Sequence, residues 1–404
     1  MYNIKEFDGG VRLIYKKAGH AKSVSAGIFI KSGSVYESGK FNGISHFIEH
    51  MLFKGTPTHS ALDISTLSEL VGGRLNAYTD RECTCVYTRV LPEDLDISLD
   101  LMGDMVLNSL FDEKSIKTEK KVVLEEIKMY EDNPEEFVHD ILSEITYPSH
   151  PIGKPIVGTE KTVKGFNSKL IKEYIKNRYC GNNIVISVTG NFDESALIDK
   201  VGTLFENVRK NVTSQEINPA DFTPAKKTIK KQVEQSHIVL AFEGYPSNCD
   251  EKYALNLVTG ILGGSTNSRL FQKVREERGL AYSVYACPNI FSSASYTSVY
   301  AACAPEKLDT LQVILLSEIE DLYLNGITEK ELEFAKKHFE TSFVLSSENL
   351  GSIMSAMGRG LLLKGRVKTD EEILSKIRSV DLDAANRAAK LFNPDKFSCS
   401  KVTP

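Results

Sequence analysis

Two histidines and a glutamate fall within five residues of the 404-residue chain, as His46, Glu49 and His50 in the stretch NGISHFIEHMLFKGT. On an α-helix His46 and His50 are i and i+4, so both imidazoles leave one face, about 6 Å apart along the axis. That separation lets two ring nitrogens reach a single Zn²⁺ at about 2.0–2.1 Å each. Glu49, three residues after His46, lies on the same side but offset, where it can hold a water acidified by the metal. Two histidines make a weak site, so a third ligand has to come from another element.

The stretch EKSIKTEKKVVLEEIKMYED supplies candidates. Glu119 and Glu126 are i and i+7, two turns apart on one helix face, with Val122 and Val123 between them. A carboxylate on a packing face needs a partner, because an unpaired buried charge costs several kcal/mol. Glu125 reads as the exposed neighbour. Spacing alone nominates Glu119 and Glu126 equally.

The surrounding elements must hold these groups in register. Strand patterns at 11–16 and 24–31 precede a helix at about 45–53, and a strand pair follows in RLNAYTDRECTCVYTRVL. Long helical patterns run from 92 to 110 and from 112 to 130, then helices near 135–147 and 166–178, a strand NIVISVTG and a helix from 194 to 207. The most informative feature is a repeat: VYTRVLPEDLDISLDLM from Val86 recurs 213 residues later as VYAACAPEKLDTLQVIL from Val299. Glu113-Lys114 returns as Glu329-Lys330. The chain therefore reads as two homologous α+β halves, 1–212 and 232–404, joined by a polar, proline-bearing linker at 213–231. Where the first half has ISHFIEHMLFKGT the second has YALNLVTGILGGS, without histidine or glutamate, so the polar cluster is something the shared fold does not require.

Composition bounds the class. With 41% hydrophobic and 25% charged residues the balance is that of an ordinary globular protein, and 404 residues exceed what one core usually serves. A net charge of −5 gives no reason to expect nucleic acid as a partner. No window of eighteen apolar residues suggests a membrane span, and the N-terminus lacks the pattern of a secretory signal. Seven scattered cysteines without a C-x-x-C read as core thiols of a reducing compartment, so a cytoplasmic location is expected. Cys83-x-Cys85 reads as strand packing.

His46-x-x-Glu49-His50 is the inverted, H-x-x-E-H, form of a zinc-peptidase motif. Together with LFKGT, GGRLNAYTDRE and EKKVVLEEI, it makes the whole chain resemble the pitrilysin-type zinc peptidases, in particular the β-type processing-peptidase subunits and their single-chain bacterial relatives. The resemblance implies two homologous halves forming a clamshell around a cavity and one Zn²⁺ per chain, held by His46, His50 and Glu126. It makes Glu49 the general base, with Glu119 auxiliary. In the second half GGSTNSRLFQKVREERGLAYSVYA carries Arg275 and Tyr282 at positions matching a substrate-binding arginine and an oxyanion-stabilising tyrosine. Glu136 and Asp140, i and i+4, match an acidic pair that recognises arginine near the cleavage site. Asn76 is expected on an edge strand able to pair with an extended peptide.

The function these readings imply is a zinc-dependent endopeptidase cleaving unfolded or extended peptides, similar to processing peptidases. The alternatives are a general oligopeptide-degrading protease and a noncatalytic core-subunit-like structural protein. A homodimer is compatible with either.

Overall fold

The structure, a computed structural model, describes all residues except Met1, Gly73 and 211–216. Contacts divide the chain into two compact units. The first comprises Met1–Ile127, Pro155–Glu216 and Val344–Lys368; the second comprises Lys128–Lys154, Ile217–Phe343 and Thr369–Pro404.

The first unit is built on β1 (Asn3–Glu6), β2 (Arg12–Lys17), β3 (Val24–Ile30), β4 (Asn76–Thr79), β5 (Thr84–Val90) and β6 (Ile184–Gly190), in the order β1-β2-β6-β3-β5-β4. The second is built on β7 (Lys226–Lys230), β8 (Ser236–Glu243), β9 (Ala281–Ile290), β10 (Ser295–Cys303) and β11 (Ser398–Thr403), in the order β7-β11-β8-β10-β9. β2 runs parallel to β6 and β7 parallel to β11, while every other pairing is antiparallel. With β1 set aside, the two sheets match strand for strand. The register matches too: Ile28 faces Val86 in one sheet and Leu240 faces Val299 in the other. The repeat of Val86 in Val299 is thus a repeat of position within a sheet, and the α+β duplication expected from the sequence is present.

β3, β6 and β10 are buried at every residue, which requires cover on both faces of each sheet. In the first unit one face packs on helices Ile44–Leu52, Leu95–Asn108 and Glu113–Asp132 through residues such as Phe47, Met102 and Val123. The opposite face is covered by a helix from far along the chain, Leu350–Lys364, whose Met354, Met357 and Leu361 meet Ile14, Phe29 and Val185. In the second unit the helix Pro134–Thr146, from early in the chain, lies on β8 and β11.

The exchange is reciprocal in detail. Ser187 Oγ on β6 donates to Met354 O at 2.8 Å, and Ser400 Oγ on β11 donates to Val138 O at 2.7 Å. The serines occupy equivalent strand positions, facing Gly27 and Val239, and Val138 and Met354 are each the fifth residue of their helix. The contiguous halves 1–212 and 232–404 are therefore not the compact units. Both exchanged helices carry buried apolar residues along one side, and local periodicity does not specify which sheet they cover.

The linker expected at 213–231 lies partly, at 213–216, outside the described residues. Its end is not linker: Lys226–Lys230 forms β7, paired in parallel with β11, with burial alternating along it. No helix among the described residues is long and apolar enough to cross a membrane. Five of the seven cysteines are buried and all are free; Cys83 and Cys85 pack beneath the Leu350–Lys364 helix.

That helix sits so close to the sheet that a methyl group added at Gly358 would overlap the Phe29 ring, and one added at Gly27 would meet Met354 Sδ at 2.6 Å. Gly358→Val is expected to lower stability by about 1–3 kcal/mol through overpacking, read as a lower urea midpoint. An unchanged midpoint would contradict this packing.

Candidate metal centre

The helix Ile44–Leu52 begins after Gly43, whose φ of +87° favours glycine and which has no side chain with which to cap it. A Cβ at Gly43 would also meet Gly158 Cα at 2.6 Å. Glu37 provides the missing cap: its buried carboxylate accepts from Gly43 N at 2.6 Å and Ser45 N at 2.8 Å. Burial pushes the Glu37 carboxyl up to about 7, with the two backbone donors opposing the shift.

Ile44, Phe47, Ile48, Met51 and Leu52 anchor the helix in the first unit's core, against β4 and β5. His46 and His50 meet the helix Glu113–Asp132. Glu126 Oε1 lies 3.5 Å from His46 Nε2, and Glu126 Oε2 lies 3.3 Å from His50 Nε2. The imidazole centroids are 4.7 Å apart. On the other side of its ring, His50 Nδ1 donates to Glu119 Oε1 at 2.9 Å, and Lys54 Nζ donates to Glu119 Oε2 at 2.7 Å. The two ring nitrogens of His50 are thus divided between two carboxylates.

This division distinguishes the two carboxylates that spacing nominated equally. Glu126 belongs to the three-residue group, with His46 and His50, whose ligand-type atoms all lie within 4.8 Å of one another. Glu119 stands on the other side of the His50 ring, bonded to Nδ1. Val123 is fully buried beside them, whereas Val122 is 47% exposed, outside the packing face on which the helical pattern put it. Burial disfavours charge on His50, yet Glu119 and Glu126 push it up to about 9. Burial opposes ionisation of Glu126, but His46 and His50 bring its carboxyl down to about 2. Glu119 is likewise held below the usual carboxylate range by His50 and Lys54, against its burial.

Several polar atoms here are buried without a hydrogen-bond partner among the described residues: Glu126 Oε2, His46 Nδ1 and Glu49 Oε2. The Glu126 oxygens sit at ion-pair distance from two imidazoles without a well-formed hydrogen bond to satisfy Oε2. A divalent cation would complete that arrangement, and two nitrogens with one carboxylate oxygen suit zinc. Glu49, half-buried, shares the helix with both histidines and has an oxygen free for a proton.

Asn76 opens β4, at the end of the strand order, and its Oδ1 accepts from Ala77 N at 2.8 Å. In the second unit Arg275 lies on a π-helical segment, Phe271–Glu276, of the kind that often marks functional sites. Its guanidinium stacks on Tyr282 at 4.3 Å and donates to Tyr282 O at 3.1 Å. Tyr282 is 77% exposed. Glu136 and Asp140 lie on the exchanged helix Pro134–Thr146, and so belong to the second unit rather than to that of the histidines. Sequence reasoning passed over Glu37 and Lys54. For Glu37 the available signal was an acid shortly before a helix whose N-cap is glycine.

Comparison with known proteins places the chain in a family. Residues 12–160 match the family "Insulinase (Peptidase family M16)" and residues 165–339 match "Peptidase M16 inactive domain". The chain is 39% identical to the uncharacterised zinc protease YmxG of Bacillus subtilis, over 98% of this chain and 96% of that one. It is 33% identical to an uncharacterised zinc protease of Streptomyces coelicolor, over 98% and 88%. Among solved structures, an M16 inactive-domain protein from Pseudomonas fluorescens (TM-score 0.93, 19% identity, covering 100% of this chain and 98% of that one) and a protease from Helicobacter pylori (TM-score 0.93, 20% identity, 100% and 99%) share the fold. With both halves matched and a relative above 30% identity along nearly its whole length, the chain belongs to the insulinase family of peptidases, M16.

Proposed function

We propose that the protein is a zinc-dependent endopeptidase acting on extended peptides. The observation that carries this reading is the convergence of His46, His50 and Glu126 with the unpartnered Glu49 oxygen on the same short helix; the names of the Bacillus and Streptomyces relatives support it. Zinc held by His46, His50 and Glu126 would supply Lewis acidity to water and to the peptide carbonyl. Glu49 takes the proton from the attacking water and delivers it to the leaving amine. Glu119, tied to Lys54, keeps His50 Nε2 turned toward Glu126 and acts as a positioning residue. Edge strand β4, with Asn76, offers backbone groups to an extended peptide. Arg275 and Tyr282, stacked and exposed, are assigned to binding the peptide. Glu136 and Asp140 are assigned to an arginine side chain, which would give the activity a processing-type preference.

Glu49→Gln is expected to retain zinc while peptide cleavage falls by roughly 10²–10⁴-fold, and His50→Ala to lose both; full activity in Glu49→Gln would overturn the mechanism. Reversal of both Glu136 and Asp140 to lysine should selectively slow arginine-containing peptides, and an unchanged cleavage profile in a peptide library would remove the pair from recognition. The raised His50 also sets a pH dependence. Below about 9 it carries a proton that a metal must displace, so zinc affinity should rise by about tenfold per pH unit between pH 6 and 8 for each displaced proton. A competing chelator titrated across that range reads the slope, and a flat profile would contradict proton displacement.

A further inference from the structure

The exchanged helix Leu350–Lys364 reaches beyond the sheet face that it covers. Its Arg359 meets the turn that joins β4 to β5, 279 residues earlier in the chain. Arg359 Nη1 pairs with Asp80 Oδ2 and donates to Cys83 Sγ at 3.0 Å, while Nη2 lies 4.0 Å from Glu82 Oε2. Asp80 organises that turn. Its Oδ1 accepts from Glu82 N at 2.7 Å and from Cys83 N at 2.8 Å, its own N–H donates to Cys83 O at 2.9 Å, and its carbonyl accepts from Ser34 N at 3.3 Å. Arg359 thus takes the carboxylate oxygen that the backbone of the turn does not use. It also brings a cation toward Glu82, whose carboxylate is buried and costly to leave unmatched.

β4 needs an anchor of this kind. It has four residues, lies at the end of the sheet order and pairs with β5 alone; a short strand bonded along one edge is a weak element. Ala77 belongs to the core that holds Phe47 and Met51 of the histidine helix, so β4 runs beside the metal centre. Tyr78 packs instead into the cluster with Met354 and Met357, and its hydroxyl bonds to Ser355, one turn before Arg359. The helix Leu350–Lys364 therefore grips both β4 and its turn, from the sheet face opposite the histidines. Met354, Met357 and Leu361 already fasten that helix to the sheet, so the guanidinium serves the turn. All of these residues belong to the first unit.

We infer that Arg359 is a positioning residue for peptide binding: it fixes the β4–β5 turn, and through it the outer backbone groups of β4, without touching peptide or metal. This rests on the reading of β4 as a peptide-docking edge and deepens it. Backbone pairing along β4 is made alike in the ground and transition states, so its loss raises KM and spares kcat.

The test is Arg359→Met, which removes the charge and keeps much of the side-chain stem. With an internally quenched peptide that the wild type cleaves, KM is expected to rise at least about tenfold while kcat stays within about threefold, with zinc content unchanged. Hydrogen exchange read by mass spectrometry separates anchoring from general loosening: amides of Asn76–Thr79 should exchange at least about tenfold faster, and those of Ile44–Leu52 at the wild-type rate. If Arg359→Met does not fold, Asp80→Asn, which keeps the acceptor for the turn and weakens the ion pair, carries the same comparisons. An unchanged KM in a folded variant, or a raised KM accompanied by lost zinc or by faster exchange throughout, would overturn this assignment and leave the peptidase reading standing. A wild type that holds no zinc and cleaves no peptide would overturn the peptidase reading, and this assignment with it.

Discussion

A carboxylate buried on a helix must be paired, and that requirement organises the metal-centre region. Glu119 and Glu126 stand two turns apart on one helix, and both reach the imidazole of His50, one through each nitrogen. Because the ring is rigid, its orientation and the separation of the two carboxylates become a single quantity. The histidine helix must then enter at one angle and depth, which Glu37 secures by gripping the backbone at Gly43 and Ser45. Lys54 balances the second oxygen of Glu119. The charges alternate along this chain of contacts, so each group lowers the cost of burying the next.

Much of this was legible in the sequence because it is local. H-x-x-E-H fixes two imidazoles on one helical face by geometry alone, and the i, i+7 glutamates follow the same rule. The choice between Glu119 and Glu126 was not legible from spacing, since both satisfy it; only the partner atoms separate them. Glu37 escaped notice because its ligands are backbone N–H groups, which have no residue-type signature. The repeat at Val86 and Val299 correctly foretold two related sheets, and their registers agree to the residue.

What periodicity misplaced were features decided at long range. The helices Pro134–Thr146 and Leu350–Lys364 were readable as helices, but nothing in an apolar stripe says which of two similar sheets it will cover. Lys226–Lys230 read as linker because an exposed edge strand is polar, and its pairing with β11 depends on residues more than 160 positions away.

The exchanged helices also set an order of events during synthesis. The face of the first sheet that carries Ile14, Phe29 and Val185 is complete in sequence once β6 has been made, yet its cover, Leu350–Lys364, is translated about 160 residues later. At ribosomal speeds of roughly 5–20 residues per second this apolar face stays bare for roughly 8–32 s. Closure of the first unit is therefore a late, high-contact-order step that awaits nearly the whole chain, and during that interval the nascent protein presents a sheet surface of the kind that chaperones bind.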